Sequence, residues 1–210
     1  MRVNAPATAP LREVESFVRQ HEAWLLERME RHAQLARVVR FEAVDGAVLP
    51  LLGEPCRLRL VERVRGVEWS GDVDGMALLK LPSSGDVAKR LVTALKARAL
   101  ARFAGRVEEY CLRLGVAVPA VRLSSARTRW GSCSSASGIR LHWRLIHLRP
   151  DLSDYVVAHE VAHLLEMNHS PRFWSVVEVL CPQWRTLRAE LHHAGRVLPL
   201  IGAEAPAGDA

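Results

Sequence analysis

The run Tyr155-Val-Val-Ala-His-Glu-Val-Ala-His-Leu-Leu-Glu166 constrains this chain more than any other stretch. It holds neither Gly nor Pro, so it reads as one helix. Residues four apart on a helix differ by about 400°, which returns them to nearly the same face one turn apart. His159 and His163 therefore project together and can grip one metal ion. Glu160 lies about 100° round from His159. That places its carboxylate beside a metal rather than on it, where it can accept a proton from water.

A third ligand is needed, and His169 is the leading candidate. Six residues beyond His163, it would fall about 600° round an unbroken helix, on the wrong side. The chain is therefore expected to leave the helix at Met167-Asn168. Asn tolerates the left-handed conformation that ends helices, and Ser170-Pro171 opens a new helix as cap and first-turn proline. Glu166, Glu178 and Glu190 are the rival ligands. Glu166, three residues past His163, shares its face but reaches awkwardly around one ion. Glu178 sits on the following helix, where another class of zinc peptidases places a glutamate ligand. Three protein ligands leave one coordination position for water, the mark of a catalytic zinc site. Glu160 is then the expected general base of a hydrolase.

Around this segment the sequence alternates in character. Leu11 to Ala36 has helical periodicity behind Pro10. Residues 40–82 break into short apolar runs with turns at Asp45-Gly46, Gly53-Glu54-Pro55, Gly71-Asp72 and Asp74-Gly75, which predicts a small antiparallel unit of hairpins. A long helix is predicted over Asp86 to Leu114. Strands are predicted over Val118 to Leu123 and Ile139 to Leu145, the latter with Arg140, His142 and Arg144 on the face opposite Ile139, Leu141, Trp143 and Leu145. A peptidase often takes its substrate as an extra strand, so that basic face is a candidate substrate contact. Helices should follow from Asp151 or Ser153 to Glu166, from Ser170 to Pro182, and from about Gln183 to Ala194. The expected organisation is an N-terminal helix and β-hairpin portion over 1–82, a catalytic portion over 83–198, and a disordered tail over 199–210. His142, His147, His192 and His193 have no ligand spacing to the motif.

Charge is uneven. Residues 1–82 carry 12 basic and 12 acidic side chains, whereas residues 83–210 carry 17 and 11. Arg98, Arg102 and Arg106 recur every fourth residue on one helix face. They form either a basic stripe for a polyanion or a solvated surface. Weak nucleic-acid association through the basic C-terminal half is one expectation. Hydrolysis of a nucleotide is another, since Arg recognises phosphate, but no Gly-rich phosphate loop supports it. The third alternative is a zinc-containing nucleic-acid-binding module without catalysis. No apolar run is long enough to cross a membrane, and no secretory leader pattern opens the chain. The four cysteines, Cys56, Cys111, Cys133 and Cys181, form no close pair. Reduced thiols and a cytoplasmic location are expected.

Four ordered blocks carry a family likeness: Arg129-Trp-Gly-Ser-Cys-Ser-Ser135, Ile139-Arg-Leu-His-Trp-Arg-Leu-Ile146, Asp154-Tyr-Val-Val-Ala-His-Glu-Val-Ala-His163 and Asn168-His-Ser-Pro-Arg-Phe-Trp174. Together they resemble the YgjP-like metallopeptidases, relatives of the SprT-like and WLM zinc proteases. The resemblance covers residues 85–195 closely and the N-terminal part more loosely. It implies an α+β, zincin-like fold, with an active-site helix packed on a small antiparallel sheet and flanking helices. It implies Zn2+ on His159, His163 and His169, and a protein or peptide substrate. The relatives suggest proteolysis near DNA. Two departures stand out: the family usually has Asn where this chain has His142, and it usually has a basic strand ahead of the segment matching Arg2 to Pro6, so either the true start lies upstream of Met1 or the N-terminal sheet is expected to be trimmed.

Overall fold

The computed structural model describes residues 10–24, 26, 40–63, 65–71, 75–126, 128–134, 136–195 and 198–202. The chain divides into two compact units, residues 1–38 and residues 39–210. In the first, α1 (Leu11–Gln20) starts after Pro10 and ends at His21, whose ring stacks on Phe17 at 4.3 Å. Residues 22–24 and 26 are helical again. The rest of the helix expected to reach Ala36, like residues 1–9, lies outside the described residues.

The second unit opens with β1 (Arg40–Phe41), which pairs in parallel with β9 (Leu200–Ile201) near the far end of the chain. Then come β2 (Val48–Leu51), β3 (Glu54–Val61), β4 (Glu68–Gly71) and β5 (Ala77–Pro82), in the order β2-β3-β5-β4. This corrects the expected run of antiparallel hairpins, because β3 and β5 pair in parallel. Their register sets Leu58 beside Leu79 and Leu60 beside Leu81. The apolar β5 thus takes a central position, and the more polar β4 becomes the edge, where exposed backbone is tolerated.

The long helix, α2 (Val87–Leu114), keeps its predicted limits. The Asp86 side chain accepts the N–H of Lys89, and Gly115 closes the helix with a φ of 66° that a side chain would resist. Leu91, Leu95, Ala99, Phe103 and Val107 recur every fourth residue and are fully buried. Each large apolar side chain sealed there contributes about 1.5–3 kcal/mol.

The second sheet has the order β6-β8-β7, from β6 (Val121–Ser124), β7 (Gly131–Ser134) and β8 (Gly138–His142). It is mixed, not wholly antiparallel: β8 runs parallel to β6 and antiparallel to β7. The strand expected to reach Leu145 stops at His142, and Trp143–His147 forms a 3-10 turn. His142 Nδ1 accepts the N–H of Arg144 and caps it. The turn carries His142 and Arg144 inward, to 3% and 4% exposure, so only Arg140 of the expected basic face meets solvent. Arg144 donates to the carbonyls of Leu198 and Pro199, at 2.7 and 2.9 Å.

That anchor, with β9, corrects the expectation of a disordered tail from 199: Leu198, Leu200 and Ile201 belong to the core, and only 203–210 lie outside the described residues. The boundary expected at residue 82 also falls within one packed body. Leu52 N–H bonds the carbonyl of Ile146 at 2.7 Å, and His147 Nδ1–H donates to that of Pro50 at 2.7 Å. Leu49, Leu58 and Leu81 share one core with Phe103, Leu141 and Val157. Three further helices complete the unit: α3 (Pro150–Ala162), α4 (Pro171–Leu180) and α5 (Trp184–Ala194). Among the described residues, no helix is long and apolar enough to cross a membrane.

Candidate active site

Helix α3 is buried on nearly every side: Leu152, Tyr155, Val156, Val157, Ala158, Val161 and Ala162 are all in the core. Tertiary packing therefore overrides the weak helix preference of its valines. One polar tie fixes it laterally. Asp154 accepts from Arg102 at 2.9 Å and pairs with Arg106 at 3.1 Å, both from α2. Burial pushes the Asp154 carboxyl up, and the two guanidiniums pull it back in part. Arg106 also donates to the Tyr110 hydroxyl at 2.7 Å, and Arg98 lies 4.5 Å over the Trp69 ring. The suspected basic stripe is thus engaged within the fold and is not a free cationic surface.

α3 ends at Ala162, with His163 as its C-cap at φ −65° and ψ −14°. The break falls five residues before the expected one at Asn168. Leu164 and Leu165 donate to carbonyls three residues back, the tightened geometry common at helix ends. Asn168 is not left-handed: among the described non-glycine residues only Leu52 has a positive φ. The reversal is built instead from His163 Nδ1–H to the Glu166 carbonyl at 3.1 Å, and from Ser170 N–H to the Asn168 carbonyl at 2.7 Å. As expected, Ser170 caps α4, accepting the Phe173 N–H, and Pro171 occupies its first turn.

This turn returns His169 to the helix. One ring nitrogen each from His159, His163 and His169 lies within 4.8 Å of the others, the group among the described residues able to hold a metal. Nε2 of His159 stands 3.1 Å from Nε2 of His169. That is the distance of an N–H···N hydrogen bond. It is also close to the separation of about 3.3 Å for two nitrogens each about 2.0–2.1 Å from a tetrahedral zinc. Because His163 donates through Nδ1, its Nε2 is left with a free lone pair. Burial, aided by the neighbouring histidines, drives His159 down to about 3, and His163 is lowered too. Neutral imidazoles are what a metal requires, so the donor set fits zinc. Phe173 lies beneath all three rings, with centroids 4.6–4.9 Å away, and Trp174 stacks on His169 and on Trp184.

The rival carboxylates point elsewhere. Glu166 faces Arg172 at 3.9 Å, Glu178 pairs with Arg185 at 3.0 Å, and Glu190 with Arg149 at 2.8 Å. Glu160 is buried, which pushes its carboxyl up to about 8 against the opposing pull of Arg129. It rests on the backbone of β7: a Cβ at Gly131 would overlap its carboxylate. Gly131 and Phe173 are site residues that reasoning from composition and spacing did not single out. The available signal was a glycine inside a strand, which often marks close approach by another group. Of the remaining histidines, His142 packs edge-on against Trp130, while His192 and His193 adjoin one another on the last turn of α5. The four cysteines are free thiols, as expected.

An α+β fold presenting three convergent imidazoles and an adjacent sheltered carboxylate has the donor set of a metal-dependent hydrolase. The chain belongs to the YgjP-like family: the profile described as YgjP-like, metallopeptidase domain, matches residues 1–194. The resemblance drawn from the four sequence blocks is thereby borne out. Among solved structures, the metallopeptidase zymogen abylysin of Pyrococcus abyssi is similar at 22% identity and a TM-score of 0.42, over 47% of this chain and 99% of that one. Comparison with curated proteins found no match.

Proposed function

We propose that this metallopeptidase is zinc-dependent, with His159, His163 and His169 as ligands and Glu160 as general base. The convergence of the three ring nitrogens beside a buried Glu160 carries the reading. Zinc bound there would supply a Lewis acid and bring the pKa of water to about 7. Glu160 takes the proton of the attacking water and passes it to the leaving amine. Its shelter against Gly131 suits a group that must hold and then release a proton at neutral pH. The Nδ1–H of His163 keeps its ring in one tautomer through the Glu166 carbonyl.

The sheet suggests how a peptide lies. β8 is paired on both sides, so the strand first expected to meet substrate is internal. β7 is the edge nearest α3, and it begins at Gly131, against Glu160. A peptide added to β7 would pass the general base. Free thiols fit a reducing compartment, and we place the protein in the cytoplasm. The engagement of Arg102 and Arg106 by Asp154 favours a peptide substrate over a polyanion.

The test is zinc content together with cleavage of a broad peptide library. Glu160→Gln should retain one zinc per chain and lose about 10²–10⁴ in kcat. A zinc-loaded wild type that cuts no peptide would sink the proposal.

A further inference from the structure

A cleft of about 560 Å³ flanks the histidine site and takes no part in the chemistry above. Trp130 and Tyr155 wall it, and Arg185, Arg188, His192 and His193 surround them. It adjoins the reacting centre twice. Tyr155 stands one helical turn before His159, with ring centroids 6.3 Å apart. Trp130 immediately precedes Gly131, on which Glu160 rests. The ring of Trp130 fits there because Gly195, at the end of α5, has no side chain to strike it.

The cleft is cationic. No carboxylate lines it among the described residues. Arg185 already pairs with Glu178 at 3.0 Å. Arg188 is exposed and, among the described residues, forms no ion pair with a carboxylate. Its guanidinium lies 5.2 Å from the centroid of Trp174, whose ring is in turn 5.9 Å from both His159 and His169. A planar guanidinium presents a fork of donors matched to a carboxylate. The volume is in the range of specific small-ligand pockets and accommodates a side chain or a chain terminus.

We propose that this cleft is a specificity site for a substrate carboxylate, an acidic side chain or the C-terminal group of the peptide, received by Arg188 between the walls of Trp130 and Tyr155. The proposal rests on the peptidase reading and names the substrate class that reading leaves open. Trp130 and Tyr155 flank the apolar stem of the bound residue, while Arg188 takes its charged end.

The test is a binding titration of the zinc-loaded full chain carrying Glu160→Gln, which leaves peptides intact. The probes are blocked hexa-alanine peptides with a single Glu or Gln at each position in turn, and hexa-alanine with a free or an amidated C-terminus. The carboxylate form should bind about tenfold tighter than its neutral partner. Adding Arg188→Gln should bring that ratio to about one; the residue is exposed, so the core is untouched. A preference at an internal position assigns the site to a side chain, and one confined to the free terminus assigns it to the C-terminal carboxylate. Equal binding of every charged and neutral pair overturns the proposal, as does a preference that survives Arg188→Gln. A single-stranded hexanucleotide that displaces the best Glu peptide at lower concentration overturns it too, in favour of phosphate. Wild-type protein that cuts neither these peptides nor the broad library while the preference holds sinks the peptidase reading and leaves the carboxylate site standing. Cleavage without the preference does the reverse.

Discussion

Replacing Gly131 by alanine should disable Glu160 while leaving all three histidines in place. The new methyl group would occupy space now held by the Glu160 carboxylate, well inside the 3.4 Å of ordinary contact. The strand backbone is pinned by pairing with Leu141 of β8, so the carboxylate must retreat by about 1 Å. A displacement of that size in a reacting group can cost about 10²-fold, which is about 2.7 kcal/mol of barrier. Overpacking should also lower stability by about 1–3 kcal/mol. The assay is kcat on a quenched peptide, read with zinc stoichiometry and thermal melting. Zinc content should not change, because the three atoms nearest the new group all belong to Glu160. The double variant with Glu160→Gln provides the control: if Gly131 acts through Glu160, it should be no slower than Glu160→Gln alone. Full activity in Gly131→Ala, or a loss explained by departed zinc, would refute the reasoning.

Two further outcomes follow from buried polar groups. Asp154→Asn leaves Arg102 and Arg106 facing a neutral amide in a largely buried position, and should destabilise the fold by about 1–3 kcal/mol in denaturant titration. The acid sensitivity of the fold should depend on His147. Burial lowers it from 6.5 to about 4, so the folded state keeps it neutral while the unfolded chain binds a proton first. Its contribution is complete above about pH 6.5 and fades as pH falls towards 4, by up to about 3 kcal/mol. A His147→Gln variant should show a correspondingly smaller drop in unfolding free energy between pH 7 and pH 4.5; an unchanged drop would contradict this.

Local rules made the candidate site legible and the topology obscure. The one-turn spacing of His159 and His163, the Ser170-Pro171 helix start and the limits of α2 at Asp86 and Gly115 are all decided within a few residues, and each appears where the sequence placed it. The return of His169 was legible, but its mechanism was not. The turn is made by a side chain reaching a carbonyl, His163 to Glu166, and not by a left-handed Asn168. Alternation along Ile139–Leu145 failed beyond His142 because Arg144 finds its partners in carbonyls at Leu198 and Pro199, more than fifty residues away. The parallel pairing of β3 with β5 and the engagement of Arg102 and Arg106 with Asp154 are likewise long-range choices. A helical wheel shows that three arginines share a face; it does not show which carboxylate lies opposite.

The pairing of β1 with β9 has a consequence for the order in which a functional molecule arises. Phe41 meets Ile201, and Arg40 reaches the carbonyl of Gly202, so the earliest strand of the larger unit waits for nearly the last. On the ribosome, the histidines at 159, 163 and 169 emerge before their supporting body can be sealed. Arg144 stays without the carbonyls of Leu198 and Pro199 until those residues leave the exit tunnel. A body built in this way is sealed by residues made after all three histidines, so the candidate site exists in sequence before the strand that closes its support.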